Sequence, residues 1–324
     1  MKAKLLEKLN EKEIADYKRS DLYRKFVLSP YQYTDNSVRY YDEYFNHEYK
    51  NYSIIVFDDS DNPLIALYAF AKPALFSYFG LPVQVVEAAF TDNGSKYNAY
   101  KELIIRLREV LQANNFDQIK FYHNEFLSAE FFSSLLSNEI YYKSYVDLSL
   151  PEEQIRSNIR KSYKSLVNWG EKNLQMERID SQNPDYEKFT SFRDFHVTTA
   201  GRKTRSDKSW DLQFDSIKDD EAYLILGYLE GKIVSGSLIL YGKTEAYYGV
   251  GVYDRDLMFK NVAVGHYNMM ASVFHAKKIG LNSMHLGYIS SSTTDEKEKN
   301  IFKFKAGFSG TIDSLVHFSC NLSH

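Results

Sequence analysis

A single cysteine, Cys320, in 324 residues excludes an internal disulfide and leaves no cysteine-based metal pattern. Packing near the C-terminus is its expected role. Long hydrophobic runs are also missing: the longest, Leu64 to Ala71 and Leu81 to Ala89, fall well short of the roughly 20 residues that cross a bilayer. The opening stretch MKAKLLEKLNEKEIADYKRSD has neither the continuous apolar core nor the small-residue cleavage site of a secretory signal, so a cytoplasmic location is expected. Neither sign of charge is in excess. Forty basic against forty-three acidic side chains leave a net charge of -3, which removes any global electrostatic case for nucleic acid or membrane binding. A basic site must be local.

What is present suits a folded chain of about two domains, divided near residue 150 into 1-150 and 151-324. The first half reads as a hairpin (Tyr52 to Phe57, Leu64 to Phe70), further strands at Phe76 to Phe79 and Val83 to Phe90, and an amphipathic helix carrying Tyr100, Leu103, Ile104, Leu107 and Leu111. A short strand (Gln118 to Tyr122), a second helix (Leu127 to Leu136) and a closing strand (Tyr141 to Leu150) follow. After Pro151 the order repeats. Helical signals run over Glu152 to Lys172 and Asp185 to Thr198, a hairpin turns at Glu230-Gly231-Lys232, and Glu245 to Tyr253 is a strand. The helix Val262 to Lys278 and the strand Ser283 to Gly287 complete it. A repeated order of elements predicts two copies of one α/β unit, each a mixed central sheet flanked by helices.

Four groups of residues could carry chemistry. Arg156, Arg160 and Lys164 fall four apart and would share one helix face, able to hold a phosphate or simply to meet solvent. The stretch AGRKTRSDKSW offers Arg202 and Arg205 for a pyrophosphate and Trp210 for stacking on a base or sugar; salt bridges in a surface loop are the other reading. His285, in MHLGY, titrates near neutrality and could take a proton from an ammonium, or be a satisfied structural histidine. Tyr248, beside Gly249 and Gly251, is a candidate wall of a ligand site, and Tyr288 another. By spacing alone FKFKAGF reads as an alternating strand with Phe302, Phe304 and Phe308 inward and Lys303 and Lys305 solvated.

Phe304, Lys305, Gly307, Phe308 and Gly310, within NIFKFKAGFSGT, resemble the closing motif of the FemAB-like branch of the GNAT acyltransferases. The likeness extends over most of residues 145 to 318. It implies tandem GNAT-like domains and transfer of an acyl or aminoacyl group onto an amine, with Lys305 beside the transferring carbonyl, Phe304 beside it and Arg160 near the cleft. The expected acceptor is an amino sugar, nucleotide-linked, or another cell-envelope precursor of polysaccharide biosynthesis. The expected donor is acyl-CoA or aminoacyl-tRNA, with no metal. The family's usual aspartate is replaced by His285, which leaves open a non-catalytic glycan-binding module. Nor is there a glycine-rich loop before either helix: TDNGSKYN and MFKNVAVGHYN hold one glycine each. No coiled-coil insertion, the helical arm of some tRNA-dependent members, is visible.

Overall fold

A computed structural model describes residues 1–322. In the first half, Lys2–Leu5, Ile54–Phe57, Pro63–Tyr68 and Gln84–Glu87 form a four-stranded antiparallel sheet. Its hairpin is closed by the Asp58 carboxylate, which accepts from the backbone N–H of Ser60 and Asn62, both at 2.8 Å. The helix Asn93–Ala113 starts at Asp92, whose side chain accepts from Ser95 N–H at 2.8 Å. It buries Tyr100, Leu103, Leu107 and Leu111 against the sheet, the face that the apolar spacing predicts.

The larger sheet has nine strands and draws on both halves. From one edge its order is Gln175–Ile179, Ala222–Leu229, Lys232–Tyr241, Glu245–Tyr253, Ser283–Ser290, Leu135–Asp147, Thr311–Asn321, Gln118–Tyr122 and Leu75–Phe76. The strand Leu135–Asp147 does not close the first half. It runs antiparallel between Ser283–Ser290 and Thr311–Asn321, and the last strand in turn pairs with Gln118–Tyr122. Cys320, opposite Ile119, is thereby fully buried in the first half's core.

Two parallel junctions break these sheets open. Glu245–Tyr253 and Ser283–Ser290 pair for three residues, ending at Tyr247 and His285, and then part. In the first half Val83 bridges Phe121 in parallel, and the strands beyond it pair with other neighbours. Among the described residues no helix is long and apolar enough to cross a membrane.

The halves are bolted together at Gly242. A Cβ there would lie 2.5 Å from the carbonyl oxygens of Leu28 and Ser29 and 2.6 Å from the carbonyl carbon of Pro30. The backbone N–H of Lys243 donates to Leu28 at 2.7 Å, and those of Thr244 and Glu245 to Ser29 at 3.2 and 3.1 Å. Every atom in the way is backbone and cannot rotate aside. Gly242→Ala is therefore expected to lower stability by about 1–3 kcal/mol, the usual cost of overpacking, read as a lower urea midpoint at unchanged slope.

Candidate active site

Lys305 sits in the last turn of the helix Glu296–Ala306, where a cation suits the helix dipole. The stretch is helical, not an alternating strand, because Asp295 caps it, accepting from Lys297 N–H at 2.7 Å. Its side chain enters the gap between the parting strands. The ammonium lies 4.7 Å from the centre of the Tyr248 ring on one strand and 3.4 Å from where a Cβ of Gly287 would be on the other. Gly287 has φ +124°, which favours glycine there, and it follows a register shift in its strand. Among the described residues Lys305 has no ion pair. Burial without a compensating anion brings its pKa down to about 8.

Tyr248 is fixed from below. Its hydroxyl is 2.5 Å from that of Tyr253 and 3.4 Å from Ser237, which bonds Asn268, whose amide donates to the Ile225 carbonyl at 3.1 Å. Burial keeps the phenol protonated. Gly249, next along, is the extra residue of a bulge, since Val250 pairs with Leu238 and Tyr248 with Ile239. A bulge disrupts the ladder locally, so the strand bends beside Lys305.

Arg160 secures the helix that carries Lys305. Its guanidinium donates to the Lys303 carbonyl at 3.0 Å and to the Tyr163 hydroxyl at 3.2 Å, and its backbone N–H donates to Gly307 at 2.8 Å. Gly307 lets the Tyr163 ring approach, since a Cβ would stand 2.2 Å from it. Phe304 packs half-buried among Tyr163, Tyr253, His266 and Phe308, at 5.3–6.0 Å between centroids. Burial lowers the His266 pKa to about 4, leaving a neutral ring.

On the cavity side of the junction a space of about 430 Å³ separates the two halves. Ser29–Tyr33 and Gln84–Glu87 form one wall, and Tyr247, His285 and Tyr288 the other. His285, the last paired residue before the strands part, has Nε2 2.8 Å from Glu245 Oε2. That contact holds the Glu245 carboxyl below the usual carboxylate range, so the oxygen is an acceptor and Nε2 carries the proton. Nδ1 is buried and, among the described residues, has no hydrogen-bond partner; with the proton on Nε2 alone it is a lone pair. Lys143, on Leu135–Asp147, projects into the same space.

Other basic residues do not gather here. The predicted helix over 152–172 is two helices, Glu152–Asn158 and Lys161–Asn173, because Ile159 leaves helical geometry to enter the core and Arg160 becomes the cap of the second. Arg156 pairs with Glu171 at 2.5 Å, and Lys164 lines a shallow surface groove. Trp210 is 1% exposed, packed against Phe189, Phe192 and His196 in a separate core, so it offers no face to a base or sugar. Arg205 lies over its ring at 4.6 Å and donates to Gln213 at 3.1 Å, so its contacts are with a different cluster from that of Tyr163 and Phe304. Arg202 is exposed in the turn before the helix Asp207–Lys218. The spacing of Trp210, Phe214 and Ile217 signals this buried helix face. Glu245 is the one charge of its strand and Lys143 one of three in its own, neither in a pattern that marks a site; only cross-strand register places them beside His285.

The starts of the two principal helices differ. Asp92 places a carboxylate at the first, which disfavours an anion there. The second, Val264–Lys278, has no side-chain cap, but Ala263, Val264 and Gly265 are buried and the Tyr253 ring lies 3.1 Å from the Cβ position of Gly265. No group of three or more His, Cys, Asp or Glu among the described residues could hold a metal ion.

No protein-family model and no curated protein matches the chain. Solved structures do. A structure of FemX, 14% identical, is covered over 98% of its length by 99% of this chain at a TM-score of 0.65. The C-terminal domain of a protein assigned as a lysylphosphatidylglycerol synthetase, from Agrobacterium fabrum, is 14% identical, covers 95% of this chain with 92% of its own, and has a TM-score of 0.59. A tandem GNAT protein of the clavulanic acid pathway, 11% identical, covers 86% with 84% of its own at 0.50. Two α/β units joined through exchanged strands, each with a parallel junction that opens, thus form the tandem GNAT fold in its FemAB-like version.

Proposed function

We propose that this chain transfers an acyl or aminoacyl group to an amine, with the donor carbonyl in the strand gap beside Lys305 and the acceptor in the cavity between the halves. One observation carries the reading: an unpaired ammonium and an unpartnered imidazole nitrogen flank the same three-residue parallel junction. His285 Nδ1 takes a proton from the acceptor ammonium, the freed nitrogen attacks the carbonyl, and the tetrahedral oxyanion forms beside Lys305. Collapse breaks the bond to the donor's sulfur or oxygen, which leaves with a proton. Residues 151–324 supply this chemistry. Residues 1–150 build the acceptor wall; their own strand gap is bridged by the Tyr100 hydroxyl, which donates to Glu87 at 2.9 Å and accepts from Asn124 at 2.8 Å.

The acceptor fits an amino sugar, nucleotide-linked, or another cell-envelope precursor, acting in the cytoplasm. For the donor, the covered start of Val264–Lys278 leaves no open cradle for a CoA pyrophosphate. That favours aminoacyl-tRNA over acyl-CoA, and with it a peptidyltransferase. Incubating the purified chain with amino-sugar acceptors and either charged tRNA or acyl-CoAs, with product read by mass spectrometry, tests this. Transfer from neither donor to any amine would refute the reading.

The Lys305 titration gives a further expectation. Burial disfavours the cation, so the charge that the oxyanion needs is lost as pH rises through about 8. The pH profile of kcat/KM should fall above that value, two units or more below an ordinary lysine. Lys305→Arg, which stays charged, should shed this alkaline fall.

A further inference from the structure

Four carboxylate, ammonium or imidazole side chains line the cavity: Glu87, Lys143, Glu245 and His285. Three of them are matched. Glu87 pairs with Lys96 at 3.0 Å and accepts from Tyr100, and Glu245 pairs with His285. Lys143 is the exception. It is half-buried on Leu135–Asp147, opposite Tyr288 on one neighbouring strand and Asp313 on the other. It feels the fields of Glu245 and Asp313, yet among the described residues no carboxylate stands within ion-pair distance of it. Burial accordingly lowers its pKa. Holding an ammonium in an aromatic-lined space without an anion is costly unless something that binds there supplies one.

Register fixes how that group would lie relative to the proposed base. His285 is opposite Tyr145, and Lys143 is two residues along on the same face, a diagonal neighbour at about 7–8 Å. The cavity therefore has a carboxylate-backed imidazole for an ammonium and, one small molecule's width away, a free cation. We infer that the acceptor is an amine that also bears an anionic group, a carboxylate or a phosphate, and that Lys143 is the residue that selects it. This deepens the acyl-transfer reading and rests on it for the word acceptor. The binding claim stands on the cavity alone.

Calorimetric titration of the full chain with two matched pairs tests the inference: glucosamine 1-phosphate against glucosamine, and phenylalanine against phenylalaninamide. The anionic member of at least one pair should bind at least tenfold more tightly than its partner, with an advantage that shrinks as salt rises. Which pair responds tells phosphate from carboxylate. Lys143→Met should erase the preference while leaving the melting temperature and the affinity for the other member unchanged, and Lys143→Arg should retain it. Equal binding within both pairs, no binding of either anionic compound, or an undiminished preference in Lys143→Met would overturn the inference. Because binding is read without turnover, a clear preference with no transfer from any donor would sink the enzymatic reading alone. Transfer without preference would sink only the role of Lys143.

Discussion

Lys305→Ala is expected to cut turnover at least about 100-fold while the chain remains folded. Removing one preorganised donor from an oxyanion site commonly costs 10²–10³ in rate, roughly 2.7–4 kcal/mol. Lys305 should lie in that range or above it, because its charge is partly withdrawn from water and no carboxylate shares it. Folding has little to lose: the ammonium compensates no buried anion, so Lys305→Met should unfold at the wild-type urea concentration or a higher one. KM for the acceptor should hardly move, since the amine arrives from the opposite side of the junction. A variant with wild-type kcat would remove Lys305 from the reaction and leave it as a cation stacked on Tyr248.

The hairpins and the principal helices were legible because periods of 2 and 3.6 are local properties, and the helix over Tyr100 to Leu111 shows that face in the sequence and in the fold. The exchange of strands was not. Leu135–Asp147 belongs by sequence to the first half, and only its non-local partners place it between Ser283–Ser290 and Thr311–Asn321. The basic residues show the same division. Arg160 and Lys305 are joined through the carbonyls of Lys303 and Gly307, whereas Arg205 is spent on Trp210 and Gln213. The proximity of arginines along a chain carries no information about whether they share a pocket. The Glu245–His285 pair depends on a parallel register of three residues, separated by forty positions in sequence.

His285→Asn should lower kcat/KM by about 100-fold or more for an ordinary alkylamine acceptor, within the 10²–10⁴ typical of a lost general base. The argument turns on the proton's place in the ring. Glu245 accepts from Nε2, which leaves Nδ1 as the base. Glu245→Gln can donate to Nε2 instead, moving the proton to Nδ1 and putting the lone pair on the wrong side, so it should lose much of what His285→Asn loses although the imidazole remains. A purely structural role predicts the same loss for every acceptor. A base predicts otherwise, because an amine that is already neutral at pH 7, such as hydroxylamine, needs no proton removed before attack. The two variants should therefore fall far less behind wild type with hydroxylamine than with an alkylamine. Equal losses with both nucleophiles would mean that the Glu245–His285 pair only braces the junction.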